Sequence, residues 1–275
     1  MITLNHVVRK VKNVSSEEFR TYWLGEHAEK ITALSSKLGI QKYTKCEALH
    51  DDDVTGLLQQ LYGTASDSYD FVDQMLINDL DDFKIAMADP EVAEAFKSLF
   101  QESLNYIEPN RSNFWFTVDI PQLLSRESFY SSTENTHLKA IYIGFHRDEL
   151  TLSGAQLHWN ACHGGMARQY SAMLPYDQYI QAHHIPSKVA DKLKYFLGED
   201  FPSADTIIGQ AEVWIDRRVV PSLQGPETER MLRLLAEDIS LFAKPSQGHI
   251  FATKEHVLFS RSLINEVLPT LFSAD

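Results

Sequence analysis

The pentapeptide Trp23-Leu24-Gly25-Glu26-His27 has a counterpart in the second half of the chain, Trp159-Asn160-Ala161-Cys162-His163. In both halves a tyrosine follows sixteen residues after the histidine, at Tyr43 and Tyr179. A single W-x-x-x-H match has little weight. The equal spacing to the tyrosine, with similar elements before and after it, indicates an internal duplication, so each half predicts the fold of the other.

Four strand-like runs surround the motif in each half. The first is a short apolar run that ends in basic residues, the second carries the tyrosine, the third follows well after it, and the fourth is rich in aromatic residues. Apart from the tyrosine strands, these runs are residues 4–10, 71–78 and 113–118 in the first half and residues 140–147, 209–216 and 249–253 in the second. Their composition predicts buried strands.

The motif itself lies on a predicted helix. Ser15 is placed to cap its first turn, with Glu18 three residues further on, and the apolar residues that follow are spaced by three or four, as on one face of a helix. The counterpart in the second half extends from residue 153 to residue 173. Glycine weakens a helix, so the pair Gly164-Gly165 indicates close approach of a strand, a ligand or another helix.

A second helix in each half begins at a proline, over residues 90–104 and 226–241. Each half then has the order β-α-β-β-α-β, the split arrangement of ferredoxin-like folds. We therefore predict an α+β protein made of two tandem ferredoxin-like halves. The polar stretch 125–135 is the predicted linker and divides the chain into domains 1–130 and 131–275, the latter ending in a helix over residues 260–272.

Composition argues against several classes of protein. The chain has 275 residues, of which 44% are hydrophobic and 23% charged, which is typical of a globular protein. A net charge of −13 without basic clusters disfavours a nucleic-acid partner, and no run approaches the apolar length that crosses a membrane. The two cysteines, Cys46 and Cys162, form no paired framework, and the N-terminus does not resemble a signal peptide. We expect a cytoplasmic protein.

The helix motif and two strands resemble the EthD family of dimeric α+β barrels. Residues 16–28, which contain Phe19, Tyr22, Trp23 and His27, are similar to the family's helix motif, and residues 69–78 are similar to its strand and turn. Phe71 and Gln74 replace the glycine and glutamate that are usual there. In the second half, residues 179–183 and 212–216 resemble the family's second and third strands.

The resemblance implies a specific architecture and leaves the reaction open. Two fused EthD-like halves, packed sheet to sheet, would reproduce the dimeric barrel within one chain. One half could then keep its chemistry while the other became scaffold. Function lies in the site and not in the fold, because this architecture supports unrelated reactions.

Trp23 with His27, and Trp159 with His163, are one helical turn apart, so each indole is predicted to pack beside its imidazole. In one interpretation the tryptophan is core and the histidine makes a fixed hydrogen bond to a strand. In the other, the histidine reaches a pocket between helix and sheet as a general acid or base, a role that suits an imidazole. The resemblance favours the second interpretation.

Side chains that alternate along the second strand of each half lie on one face. In the second half these are Tyr179, Gln181 and His183, so a phenol and an imidazole could handle a proton together. The alternative is an edge strand facing solvent. Glu212, if it lies inside an apolar barrel, would have a raised pKa and could orient His183. The predicted catalytic residues are therefore His163, His183, Tyr179, Glu212 and His27.

The predicted substrate-binding residues are those that would surround such a site: Trp23, Trp159, Tyr43, Gln74 and Trp214. A barrel lined by aromatic side chains, with Phe114, Trp115, Phe116, Tyr142 and Phe145 also available, suits a planar or apolar organic ligand, and it equally suits a packed core.

Cofactor motifs are absent from the sequence. It contains no glycine-rich phosphate loop, no G-x-S-x-G elbow and no H-E-x-x-H, and neither cysteine has a local partner for zinc. We expect no cofactor and no metal. Haem is the leading alternative, because relatives of this barrel use a single pocket histidine as an axial ligand, although no C-x-x-C-H attachment motif occurs.

The sequence and the resemblance together predict a cofactor-independent oxidoreductase of the monooxygenase type. Its substrate would be a small apolar or aromatic molecule, and the protein would be a monomer or a homodimer. Two alternatives remain open: a non-catalytic ligand carrier or accessory protein, and a polyketide-type cyclase or dehydratase.

Overall fold

A computed structural model describes residues 1–124, 131, 132, 135–174, 176–190, 193, 201–222 and 225–261. Its strands are β1 (Ile2–Val8), β2 (Ile40–Ala48), β3 (Phe71–Ile77), β4 (Asn113–Leu123), β5 (His137–Phe145), β6 (Tyr176–Ile185), β7 (Ile207–Asp216) and β8 (His249–Ser260). They close into one barrel in the order β1-β3-β2-β8-β5-β7-β6-β4, and every neighbouring pair is antiparallel. The predicted α+β barrel of eight strands is confirmed.

The two halves of the chain contribute equal arcs of this barrel. The first half supplies its strands in the order β4-β1-β3-β2, and the second half supplies its strands in the order β8-β5-β7-β6. In both halves, the order around the barrel is therefore fourth, first, third and second strand. Pairing of β2 with β8 and of β4 with β6 joins the arcs. No strand of the barrel is left at an edge, so the edge-strand interpretation of residues 179–183 is wrong.

Helices cover the outside of the barrel. They are α1 (Ser16–Leu24), α2 (Glu26–Leu34), α3 (Asp53–Tyr62), α4 (Leu80–Ala86), α5 (Pro90–Ser103), α6 (Leu152–His158), α7 (Gly164–Gln169) and α8 (Pro226–Phe242), with a π-helical turn at Trp159–His163. The prediction missed α3 and α4. No helix in the described part of the chain is both long and apolar enough to span a membrane.

The first motif helix is interrupted at Gly25. The cap was predicted correctly, since the Ser15 hydroxyl accepts from the Glu18 amide, but α1 ends at Leu24 and α2 begins at Glu26. A Cβ on Gly25 would lie 2.7 Å from the Thr21 carbonyl oxygen. The chain therefore bends at the one residue of the motif that lacks a side chain.

The second motif helix contains the π turn instead of a break. The Gly164 amide donates to the carbonyl of Trp159, five residues earlier, so this turn holds one residue more than an α-helical turn. Gly164 fits against the strands as its sequence predicted, because a Cβ there would lie 2.5 Å from the Gln122 side chain and 3.1 Å from that of Gln181. Gly165 has no such close neighbour.

Several predicted boundaries differ from the observed ones. Ser260 ends β8, so it does not begin a helix, and residues 262–272 of the predicted terminal helix lie outside the described residues. Most of the predicted linker also lies outside them. Ser131 within it is fully buried, and its backbone amide donates to the Glu255 carboxylate, so at least this position is part of the packed structure.

Aromatic side chains are divided between the lumen and the outer faces of the barrel. Phe114 and Phe116 pack with the helices of the first half, and Tyr142 packs with those of the second. The prediction that these three line the lumen is wrong. The lumen core contains Trp115 and Phe251 together with aliphatic residues of β1, β3 and β5.

Candidate functional site

A cavity lies between the second-half sheet and its helices. Its walls come from strands β5 to β8, from the π turn, α7 and α8, and from α3 of the first half; the lining residues include Trp159, His163, Tyr142, Tyr176, Tyr179 and Tyr62. The volume of the cavity that the centres of water-sized molecules can occupy is about 50 Å³. That space holds several waters or a small organic ligand.

Small strand residues create this space. The pairing registers align Ala140, Ala211, Val213 and Ala252 of the second half with Leu4, Asp73, Met75 and Phe116 of the first. Each second-half residue is smaller than its counterpart. In the first half, the larger residues Leu4, Met75 and Phe116 belong to a buried apolar core.

His163 stands in the wall of the cavity and is held by a carboxylate from α8. Its Nδ1 lies 3.0 Å from Oδ2 of Asp238, whose other oxygen lies 3.0 Å from Nε2 of His158. Burial would raise the pKa of Asp238, but the hydrogen bonds from both histidines outweigh burial and lower it. An ionised carboxylate only accepts, so Nδ1 of His163 carries a proton and Nε2 is left as an acceptor.

Tyr179 is a hydrogen-bond donor with no acceptor among the described residues. Its hydroxyl oxygen accepts from Nε1 of Trp159 at 3.2 Å and from Nε2 of Gln181 at 3.0 Å. Both lone pairs are then occupied, and the remaining capacity of the group is to donate its own proton. Burial raises the pKa of Tyr179, so the phenol stays protonated.

Three further phenols line the cavity. The hydroxyls of Tyr62 and Tyr176 interact with each other, and burial raises the pKa of both. The hydroxyl of Tyr142 is buried without a partner in the described part of the chain. The walls are thus apolar surfaces with a few neutral donors, which suits an aromatic or apolar ligand that carries an oxygen atom.

His183 lies behind the cavity wall. Its ring stacks on Trp159 with centroids 4.8 Å apart, and its Nε2 lies 3.1 Å from the Gln181 side-chain oxygen. Burial lowers the pKa of His183 to about 4. The predicted pairing of Trp159 with His163 is wrong, because the π turn rotates His163 away and the indole stacks on His183.

The corresponding place in the first half is filled by a buried ion pair. Nζ of Lys45 lies 2.8 Å from Asp73 and 3.1 Å from Nδ1 of His27, and the carboxylate also accepts from Tyr43 and Trp23. Trp23 stacks on His27 at 3.9 Å as predicted. Burial and the Lys45 charge hold the pKa of His27 well below its usual value. These predicted residues lie together and are fully buried.

Glu212, Gln74 and Trp214 belong to a third cluster inside the barrel. Lys139 contacts Glu212 at 2.7 Å and Gln74 at 2.6 Å, and Trp214 donates to Glu255 at 2.8 Å. Strands β3 and β7 are not neighbours, so the hydrogen bond from Gln74 to Glu212 crosses the lumen.

The prediction of a raised pKa for Glu212 is wrong. Burial acts in that direction, but the buried ammonium of Lys139 and the amides of Gln210 and Gln74 outweigh it and lower the pKa. The carboxylate also bonds these groups and not His183. Glu212 is a structural anion of the lumen.

The ten predicted site residues thus fall into separate places. Three of them, His163, Tyr179 and Trp159, line the cavity. Asp238, Tyr142, Tyr62 and Tyr176 line or support it and were missed. Asp238 lies on the buried face of α8, in line with Met231, Leu235 and Phe242, so a carboxylate at an otherwise apolar position was the signal that could have found it. Tyr62 lies on a helix that was not predicted.

The cavity is a poor match for metal or haem. No group of three or more His, Cys, Asp or Glu in the described residues is placed to hold a metal ion. A porphyrin is far larger than the space beside His163, and four tyrosines and Trp159 would have to move to admit it. We therefore derive no step through haem.

Comparisons with known proteins found a domain family and several solved structures to which this chain is similar. Residues 12–110 match the model of the EthD domain. A solved structure from Lactobacillus acidophilus, described as a "putative monooxygenase", is 9% identical, covers 94% of this chain and 96% of its own, and has a TM-score of 0.44. Another solved structure of the same description, from Fusobacterium nucleatum, is 7% identical, and the match covers 94% of this chain and 92% of that chain, with a TM-score of 0.49. No curated protein matches the sequence. Residues 12–110 of this chain are thus similar to the EthD domain.

Proposed function

We propose that the protein is an enzyme that takes a proton from a small apolar or aromatic molecule in the second-half cavity and oxidises it, without a cofactor, in a reaction of the monooxygenase type. The observation that carries the proposal is the orientation of His163. Asp238 holds Nδ1, and Nε2 is an acceptor without a partner among the described residues, in the wall of a cavity. A carboxylate that fixes the tautomer of a histidine prepares it as a general base.

Tyr179 supplies the second group that such a step needs. Its donated proton would stabilise the oxygen anion left on the substrate, and the hydrogen bonds from Trp159 and Gln181 fix its position. Fixed donors in a buried site stabilise developing charge more than water does, because no solvent has to reorganise. The substrate that fits is one with an acidic oxygen group, such as a phenol or an enol.

The substrate anion can provide the electrons for the oxidation. In such a reaction, one atom of O₂ enters the substrate and the other leaves as water with two hydrogen atoms from the substrate, so no external reductant is consumed. The assignment of this reaction class rests on the resemblance to the EthD family. The site contributes the base, the donor and apolar walls that exclude water.

We also propose that the barrel is a duplication of one ferredoxin-like βαββαβ unit, with domains at residues 1–130 and 131–275. The equal strand order of the two halves supports this proposal. After fusion the two sites could diverge, and the first half replaced a cavity by the Lys45 and Asp73 pair.

The test compares two histidines that share Asp238. His163→Ala should lower the rate of oxygen uptake with phenolic substrates by about 100-fold to 10,000-fold, as expected for loss of a general base. His158→Ala is the matched control, because His158 bonds the same carboxylate but does not line the cavity. It should keep most of the activity.

The outcomes separate the alternatives. Binding of phenols without any turnover, unaffected by His163→Ala, would mean a ligand carrier. Turnover that depends on His163 but consumes no oxygen would mean a cyclase or dehydratase. A His158→Ala variant as impaired as His163→Ala would overturn the role of His163 as the base.

A further inference from the structure

One residue is shared by the walls of the cavity and of a groove on the protein surface. Tyr62, the last residue of α3, lines the cavity on one side and the groove on the other. It comes from the first half of the chain, although the cavity belongs to the second. Gly63, with φ of 63°, ends the helix directly after it.

The groove lies between α3 and α8 and has an apolar floor. Leu57, Leu61, Leu232 and Ala236 line it, and it offers about 860 Å³ to the centres of water-sized molecules. Leu57 is 49% exposed. Glu229, Glu237 and Arg233 also line the groove, and these charges sum to −1, which disfavours an anionic group on the ligand.

Tyr62 lies in the terminal turn of α3, and its hydroxyl interacts with that of Tyr176. Its ring also packs against the second-half core. Rotation of the phenol about its χ1 is the movement that would open a path between the cavity and the groove. The remaining residues of the groove floor belong to α3 and α8 and stay in place.

We infer that the groove is the second part of the substrate site and that Tyr62 selects what crosses into it. The ligand would be a phenol or enol whose ring occupies the cavity and whose uncharged apolar chain passes Tyr62 and lies on Leu57 and Leu61. This inference rests on the proposed function, because it requires a ring bound beside His163. It explains how a cavity of about 50 Å³ can serve a substrate larger than one ring.

The test is the dependence of affinity on chain length. Phenol and its 4-methyl, 4-butyl and 4-hexyl derivatives would be titrated against the full chain by calorimetry. In the wild-type protein, affinity should rise about fourfold for each methylene that is buried in the groove. A Leu57→Gln/Leu61→Gln variant should bind 4-hexylphenol at least about tenfold more weakly and phenol with unchanged affinity.

Two further variants keep the result interpretable. Leu157→Gln changes an exposed leucine of α6 outside the groove and should leave both affinities unchanged. Tyr62→Phe removes the hydroxyl that meets Tyr176 but keeps the ring, and it should speed association of 4-hexylphenol more than that of phenol. The thermal midpoints of all variants would show that each one is folded.

The outcomes distinguish this inference from the function on which it rests. Affinity that does not depend on chain length, or that the groove variant lowers equally for phenol and 4-hexylphenol, would overturn the inference while phenol binding upheld the site. If no phenol binds the wild-type protein, the proposed function and the inference both fail.

Discussion

At the scale of single residues, a few substitutions decide which half of the barrel has a cavity. Where the first half has Lys45 and Asp73, the second has Gln181 and Ala211. In the first half, a carboxylate accepts from Trp23, Tyr43 and Lys45 at once. In the second half, the hydroxyl of Tyr179 takes the place of that carboxylate. The polar network of the second half therefore consists of neutral groups and contains no buried ion pair. The volume that Asp73 fills in the first half is left open beside Ala211 and becomes available to a ligand.

Removal of one member of the buried pair should cost much more than removal of both. Asp73→Ala leaves the Lys45 ammonium without its partner, and we expect a loss of about 3–5 kcal/mol in the free energy of unfolding. The double variant Lys45→Gln/Asp73→Ala copies the second half and should recover at least about 1 kcal/mol of that loss. Urea unfolding measures both. If the loss of stability in the double variant equals the sum of the losses in the two single variants, the ion-pair interpretation is wrong.

Buried neutral histidines should make the protein sensitive to acid. Burial lowers the pKa of His183 to about 4, and those of His6 and His27 lie well below the usual value. Below pH 6.5 the unfolded chain binds protons that the folded protein does not, so stability is full above that pH and is lost as the pH falls toward 4. Thermal midpoints across this range measure the effect. An NMR titration midpoint of His183 near 6.5 would contradict it.

At the scale of elements, the two copies of the motif differ in how the helix is interrupted. The first copy breaks at Gly25, and Trp23 and His27 still stack. The second copy inserts a π turn, which carries His163 to Asp238 and leaves Trp159 on His183. A one-residue difference in helical register therefore determines which partner each histidine meets.

Deletion of Ala161 should convert the π turn to an α-helical one. His163 would rotate by about 100° around the helix axis and lose the contact with Asp238, because an α-helix turns by that angle per residue. We expect activity to fall by about 100-fold or more, with little change in helix content. Oxygen uptake and far-ultraviolet circular dichroism test this pair of results, and substitution of Ala161 by Ser is the control. Retained activity in the deletion variant would mean that the π turn does not position His163.

At the scale of the whole molecule, neither half completes its own structure. Strands β2 and β4 of the first half pair with β8 and β6 of the second. Each half also packs a segment on the other. Leu58 and Tyr62 of α3 cover the second-half cavity, while Ala190 and Leu193, which follow β6, pack into the first-half core.

The separate halves should therefore associate. Residues 1–124 expressed alone would expose β2 and β4 as unpaired edges, and we expect self-association instead of a stable monomer. Residues 135–261 alone should bind no phenol, because the wall supplied by α3 is missing, and mixing the halves should restore binding. Size-exclusion chromatography and calorimetry measure these outcomes. A folded monomer of either half would contradict the expectation.

The sequence by itself determined the local elements and their repetition. Helix caps, apolar periodicity and the repeated Trp, His and Tyr spacing depend on residues close together in the chain, and they predicted an α+β protein of two repeated halves, while the barrel was implied by the resemblance to the EthD family. They also placed Trp159, His163 and Tyr179 in the site. The tertiary structure decided which groups meet. Asp238 is far from His163 in sequence, Tyr62 comes from the opposite half, and the low pKa of Glu212 depends on Lys139 from another strand. Contacts between distant segments depend on packing and register, which local pattern does not encode.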